Sequence, residues 1–373
     1  MPWQTSLDPE QLQLTAARRT GLTDFGGASW RDGFERLCSS LEDEAQLTPT
    51  GRLAARNHLL QLLANRLQLQ AERQRNSYLR GQNIDAPVLI TGLPRSGSTL
   101  LHELMAQDPA IRVPFTWEVM LPCRLPGQPE REMQRRIDRT DRMLRWVDRL
   151  APQFKSVHAI GARLPQECIA ITAHQFASVE FHTTFNVPGY QSWLDQQDGM
   201  AAAQYHRQFL QHLQAANDRG RWILKAPAHL YTLPALARVY PGARFVYTRR
   251  DPEQVAASIA SHGVILRNAF SDAVDAAAVA GFWMRWWAEG WRRGESFRQH
   301  NAVLLIDYET LVADPLAAVG SLYEQLGLPL TADSENRMRQ YLAANPQGKF
   351  GRHRYSLQQF GLDPATIRDS FGA

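Results

Sequence analysis

The 373 residues are 44% hydrophobic and 21% charged, include ten tryptophans, and carry a net charge of +4. A chain of this size and apolar content buries a sizeable core, which excludes disorder as its main state; at roughly 150 residues per domain it allows two or three units. Cys38, Cys123 and Cys168 lack motif spacing and make an odd count, which excludes a disulfide scaffold and suits a reducing compartment. The first ten residues show no basic segment followed by an apolar one, and no apolar run reaches the ~18 residues of a membrane span. The expectation is a cytoplasmic protein without a transmembrane segment.

Residues 1–85 read as an N-terminal helical extension, with Leu53, Leu59, Leu60, Leu63, Leu67 and Leu69 at near-helical spacing between residues 50 and 80. From 86 to 373 the texture is that of an α/β domain. Short apolar runs at 88–91, 112–115, 222–225, 244–248 and 303–306 suit strands of a parallel sheet covered on both faces. Helical segments intervene at 100–107, 231–240 and 253–261, the last with Asp251 as N-cap and Pro252 at its first position. The alternation predicts an open, doubly wound sheet flanked by helices, with its site at the carboxyl ends of the strands. Residues 119–220 are mostly helical and form an insertion in that order.

Four blocks carry chemistry. In the first, a strand at 88–91 runs through Gly92-Leu-Pro-Arg95-Ser96-Gly97 into a helix beginning near Ser98. Such a turn aims several N–H groups and a helix N-terminus at one spot, which makes an anion site. Compared with the triphosphate loop G-x-x-x-x-G-K-[ST], Ser98 stands at the lysine position, Thr99 follows it, and the cation comes earlier as Arg95. The second block places Arg250 at a strand end and Ser258 eight residues on, a pair suited to a second phosphate. The third ends a strand in Lys225, one of only three lysines among 41 basic residues, with His229 close behind. In a chain that prefers arginine, a retained lysine suggests the need for a compact point charge. The fourth, around Gly348, Lys349 and Arg352, is a glycine-containing basic loop able to fold over a phosphate. No basic run is interleaved with aromatics, which argues against nucleic acid as a partner.

Together these blocks resemble the sulfotransferase family that uses 3′-phosphoadenosine 5′-phosphosulfate (PAPS), over roughly residues 86–355. Arg95 to Thr99 resembles that family's 5′-phosphosulfate loop, in the arginine-bearing form of its bacterial and tyrosyl-protein branches, and the resemblance implies a P-loop-like fold. Arg250 with Ser258 is similar to its 3′-phosphate pair, Tyr308 to its tyrosine near the adenine, and Gly348, Lys349 and Arg352 to its closing loop. The resemblance implies in-line sulfuryl transfer to a hydroxyl with no metal required, Lys225 and Arg95 neutralising the transferred group. The proton acceptor is left among three groups: Glu118 after the second strand as first choice, His229, and Glu167 with His174 beyond it.

Two other readings stand beside this one. An ATP-dependent phosphotransferase would need magnesium, for which Asp307 is the one carboxylate at a later strand end; a non-catalytic nucleotide-binding module would keep the loop alone. Phe154, Phe176, Phe181, Phe185, Tyr190 and Trp193 give the insertion an aromatic surface, from which a small-molecule or lipid-like hydroxylated acceptor is expected. Peripheral membrane contact and a homodimer are left open, and the Trp-rich segment 282–291 is either core or a dimer face.

Overall fold

Five strands form one parallel sheet in the order β2-β3-β1-β4-β5: β1 Val88–Gly92, β2 Ile111–Arg112, β3 Arg221–Lys225, β4 Arg244–Arg249 and β5 Val303–Asp307. This computed structural model describes residues 5–125, 129–150, 161–217, 220–346 and 356–372. All five expected strands are present, but β2 is shorter than its apolar run. Arg112 donates to the Val113 carbonyl and Pro114 has no N–H to give, so the ladder stops and the chain turns into the helix Thr116–Met120. The helix expected over 231–240 is also divided, into a 3₁₀ turn Pro227–Tyr231 and a helix Leu233–Val239 with a proline in its first turn.

Both faces of the sheet are covered, as the continuous apolar runs require. Val88 and Ile90 pack with Leu101, Val246 and Leu322 on one side, while Leu89, Leu224 and Tyr247 meet Trp283 and Trp287 on the other. The segment 282–291 therefore belongs to the core helix Ala276–His300. Asp251 caps the helix Pro252–Asn268 through the Glu253 N–H at 2.8 Å, as its sequence suggested.

The N-terminal helices, Pro9–Thr20, Arg31–Asp43 and Pro49–Arg75, share one cluster with the insertion, because Leu37, Leu59 and Leu63 pack with Phe176, Phe181, Phe185 and Tyr190. Those four aromatics are thus core side chains and not acceptor surface. Phe154 lies outside the described residues.

Among the described residues six histidines are buried at the joints between these elements: His102, His174, His182, His206, His212 and His229. His102 on the helix Ser98–Met105 meets the Ile223 carbonyl of β3 at 3.1 Å, His174 meets Asn65 of the long N-terminal helix at 3.0 Å, and His182 meets Arg267 at 2.9 Å. Burial pushes His102, His174 and His206 down to about 3, His212 and His229 down to about 4, and His182 well below the usual 6.5. The unfolded chain takes up protons near pH 6.5 that the fold refuses, so this stability is complete above that pH and is lost as pH falls toward the folded values. The melting temperature should therefore decline from pH 6.5 downward. A flat profile to about pH 4.5 would mean that these rings accept protons within the fold.

Candidate active site

The parallel register brings three strand ends to one edge. Ile90 pairs with Lys225 and Gly92 with Thr248, so the loop after β1 lies between the ends of β3 and β4. That loop is shaped from within. Gly92 has φ +132°, and a Cβ there would sit 2.2 Å from the Thr248 carbonyl oxygen; Gly97 has φ +89°, and a Cβ there would press on Leu311 and Tyr308. Arg95 is held at φ +67°, a left-handed conformation uncommon for a side chain of its size. The Ser96 hydroxyl donates to the Leu93 carbonyl at 2.5 Å and lies 2.6 Å from Thr248 Oγ1, which itself reaches the Thr91 carbonyl at 3.1 Å. Ser96 thus uses its side chain to hold the turn. Ser98 is buried and Thr99 exposed in the first helical turn, whose N–H groups have no carbonyl partners within the helix.

Lys225 ends β3 with its side chain only 3% exposed. Its Nζ lies 2.5 Å from Glu167 Oε1 and donates to Thr99 Oγ1 at 3.2 Å. Glu167 reaches this point because the segment before it zips onto the turn after β2. The Thr116 and Trp117 N–H groups donate to the Leu164 and Ala162 carbonyls at 3.0 Å, and the Gln166 N–H to the Pro114 carbonyl at 2.7 Å. His229 is buried beside the pair: Glu167 raises its proton affinity and Lys225 lowers it, but burial dominates and keeps the ring neutral.

Glu118 sits elsewhere. Arg112 grips it with two hydrogen bonds of 2.9 and 2.5 Å, and the Phe115 N–H adds a third at 3.0 Å. Both carboxylate oxygens are engaged, and the Arg112 guanidinium is stacked over Trp222 at 4.7 Å. The expected role as proton acceptor therefore meets a carboxylate already committed to a buried ion pair. The signal for that pairing was available in an arginine placed inside an apolar strand run, six residues before the acid, which needs a buried counter-charge.

On the other side of the loop, Arg250 donates to the Arg95 carbonyl at 2.9 Å and lies 3.7 Å from the centre of the Tyr308 ring. Ser258 is half-buried in the helix that Asp251 caps. Asp307, the strand-end carboxylate considered for magnesium, forms a bidentate pair with Arg249 at 2.9 and 3.0 Å. Gly348, Lys349 and Arg352 lie outside the described residues.

Next to His229 an apolar cavity of about 130 Å³ is lined by Cys168, Ile169, Trp193, His206, Tyr231 and Trp286, among others. The Nε2 atoms of His206 and His229 are buried without a hydrogen-bond partner. Tyr231 stacks on Trp286 at 4.1 Å and closes one side. Among the described residues no helix is long and apolar enough to cross a membrane.

Known proteins resemble this chain in sequence and in fold. The chain is 26% identical over 296 residues to the omega-hydroxy-beta-dihydromenaquinone-9 sulfotransferase Stf3 of Mycobacterium bovis and of Mycobacterium tuberculosis, an alignment covering 74% of this chain and 71% of each relative. Its structure superimposes on that of sulfotransferase STF1 from Mycobacterium tuberculosis with a TM-score of 0.85 and 28% identity, covering 97% of this chain and 98% of the other. For sulfotransferase STF9 from Mycobacterium avium the TM-score is 0.84 and the identity 26%, covering 98% and 95%. The model of the sulfotransferase family matches residues 87–333, which include β1 to β5 and every site residue placed above, and the chain belongs to that family.

Proposed function

We propose that the protein transfers the sulfuryl group of PAPS to a hydroxyl at the end of a lipid-like acceptor. The observation that carries this reading is the buried Lys225 ammonium, held between Glu167 and Thr99 at the lip of the anion-binding loop. In this reading the loop from Arg95 to Thr99 holds the 5′-phosphosulfate, with Ser96 and Gly97 setting its shape. Arg250 and Ser258 hold the 3′-phosphate, and Tyr308, against which Arg250 is already flattened, lies under the nucleoside. Gly348, Lys349 and Arg352 remain assigned to a closing loop on the family resemblance alone.

The bound donor supplies an activated sulfuryl group, and the chain's own residues do the rest. Lys225 and Arg95 offset the charge on the transferred group and on the bridging oxygen, where cations stabilise a loose in-line transition state. Glu167 takes the acceptor hydroxyl proton. It is better placed than Glu118, whose oxygens Arg112 occupies, and better matched than His229, whose burial opposes a positive charge. The resting Lys225–Glu167 pair keeps both charges compensated until donor phosphosulfate competes for the ammonium and frees the carboxylate.

The acceptor end enters the cavity beside His229, where the lining is mostly apolar. Two relatives act on a hydroxylated menaquinone by name, which accords with an apolar chain bearing a terminal hydroxyl.

Calorimetric titration with adenosine 3′,5′-bisphosphate, beside magnesium–ATP and AMP, tests the donor site: the bisphosphate should bind at least tenfold more tightly than either, about 1.4 kcal/mol. Equal affinity for AMP would remove the 3′-phosphate assignment. Glu167→Gln should lower turnover by about 10²–10⁴-fold while leaving bisphosphate affinity within a few-fold. Glu118→Gln should act first on stability, toward the roughly 3–5 kcal/mol seen when one partner of a buried pair is removed. Full activity in Glu167→Gln would return the proton to His229 or Glu118. Arg250→Ala should weaken adenosine 3′,5′-bisphosphate and leave AMP binding unchanged; parallel losses would mean that Arg250 acts on the loop through the Arg95 carbonyl.

A further inference from the structure

Away from the donor loop, three side chains of metal-ligating type meet where the long N-terminal helix joins the insertion. Glu72 comes from Pro49–Arg75, Cys123 from the turn after Thr116–Met120, and His212 from the helix Met200–Ala216. A carboxylate oxygen, the thiol sulfur and a ring nitrogen all lie within 4.8 Å of one another. Cys123 and His212 are buried and Glu72 is half-buried. Among the described residues this is the one group of three or more such side chains so arranged.

The histidine supplies a second observation. Its side chain is 7% exposed, and Nε2 lies 3.2 Å from the Pro122 carbonyl and 3.5 Å from Glu72 Oε2. Nδ1 is buried with no hydrogen-bond partner. Nε2, which faces Glu72, is thus the nitrogen that a cation would meet in place of the Pro122 carbonyl, and a neutral imidazole can ligate through it. Glu72 and His212 also line a second cavity of about 910 Å³, with Trp117, Arg124 and Asn217, which leaves room for a solvent ligand. Arg136 lies close enough to act on both Cys123 and His212, but its guanidinium is already held by the Leu121 and Pro122 carbonyls at 2.7 and 3.0 Å and by Glu132 at 3.6 Å.

We propose that Glu72, Cys123 and His212 form a binding site for a zinc-like divalent cation, completed by water from the adjoining cavity. One thiolate, one carboxylate and one neutral imidazole balance the two positive charges, and a sulfur, nitrogen and oxygen donor set suits zinc better than magnesium or calcium. On binding, the Cys123 S–H bond breaks, its proton leaves to solvent and the sulfur keeps the electron pair that forms the metal bond. The cation would tie three elements together at the base of the insertion. It takes no part in sulfuryl transfer, so the proposal stands apart from the donor and acceptor assignments.

The full chain, stripped with a chelator and titrated with zinc chloride, should take up one equivalent and melt at a higher temperature as zinc increases. Cys123→Ser and His212→Ala should each weaken that affinity by more than about tenfold, with Cys38→Ser as an unaffected control. Cobalt(II) in place of zinc should give a near-ultraviolet thiolate-to-metal charge-transfer band, absent in Cys123→Ser. If either variant does not fold, the wild-type cobalt spectrum decides alone. No equivalent of zinc bound, bound cobalt without a thiolate band, or binding that survives Cys123→Ser would overturn the site.

Discussion

A lysine ammonium buried at the end of an apolar strand has to be compensated, and the structure is arranged around how Lys225 meets that requirement. Removing an ion from water costs several kcal/mol unless a counter-charge and hydrogen bonds replace the lost hydration. Glu167 and Thr99 supply both, and they come from the insertion and from the first helical turn after the β1 loop. The charge requirement therefore fixes three separate segments against one another. The zipper between residues 114–117 and 162–166 delivers Glu167, and the Arg112–Glu118 pair braces the turn that carries that zipper. Two buried ion pairs thus divide the work, one holding the turn after β2 and the other facing the loop after β1.

This division explains which parts of the site were legible in sequence. Strands 1, 3, 4 and 5 could be read because a sheet covered on both faces needs continuous apolar runs, and the loop after β1 because Gly92 and Gly97 occupy conformations few other residues tolerate. Lys225 stood out because the chain otherwise prefers arginine. The assignment of the two acids was legible only in part. Glu118 follows the second strand as a catalytic acid might; Arg112, six residues earlier in an apolar run, signals the need for a buried counter-charge, and the folded turn shows that Glu118 supplies it. Glu167 becomes a partner of Lys225 across 58 residues, a separation that no local pattern encodes. The aromatics of the insertion misled for a related reason: Phe176, Phe181, Phe185 and Tyr190 acquire their partners from the N-terminal helices, more than a hundred residues upstream.

The loop after β1 shows a different economy. The Ser96 and Thr248 hydroxyls lie against one another and turn toward the Leu93 and Thr91 carbonyls, and Arg250 is anchored to the loop through the Arg95 carbonyl. These contacts hold the left-handed turn at Arg95 before any ligand arrives. A loop ordered in advance loses less freedom when it closes on an anion, which is the physical meaning of preorganisation here.

The cavity beside His229 is the counterpart of that order, because it is where the fold leaves polar groups unfinished. His206 gives Nδ1 to the Tyr240 hydroxyl at 2.6 Å, yet its Nε2 and that of His229 remain buried without partners, and the rings lie 6.4 Å apart. Both nitrogens have almost no accessible surface, so the wall that Tyr231 and Trp286 complete is mainly apolar. In the proposed reading that wall would hold the apolar part of an acceptor and leave its hydroxyl to the Lys225–Glu167 pair beside His229.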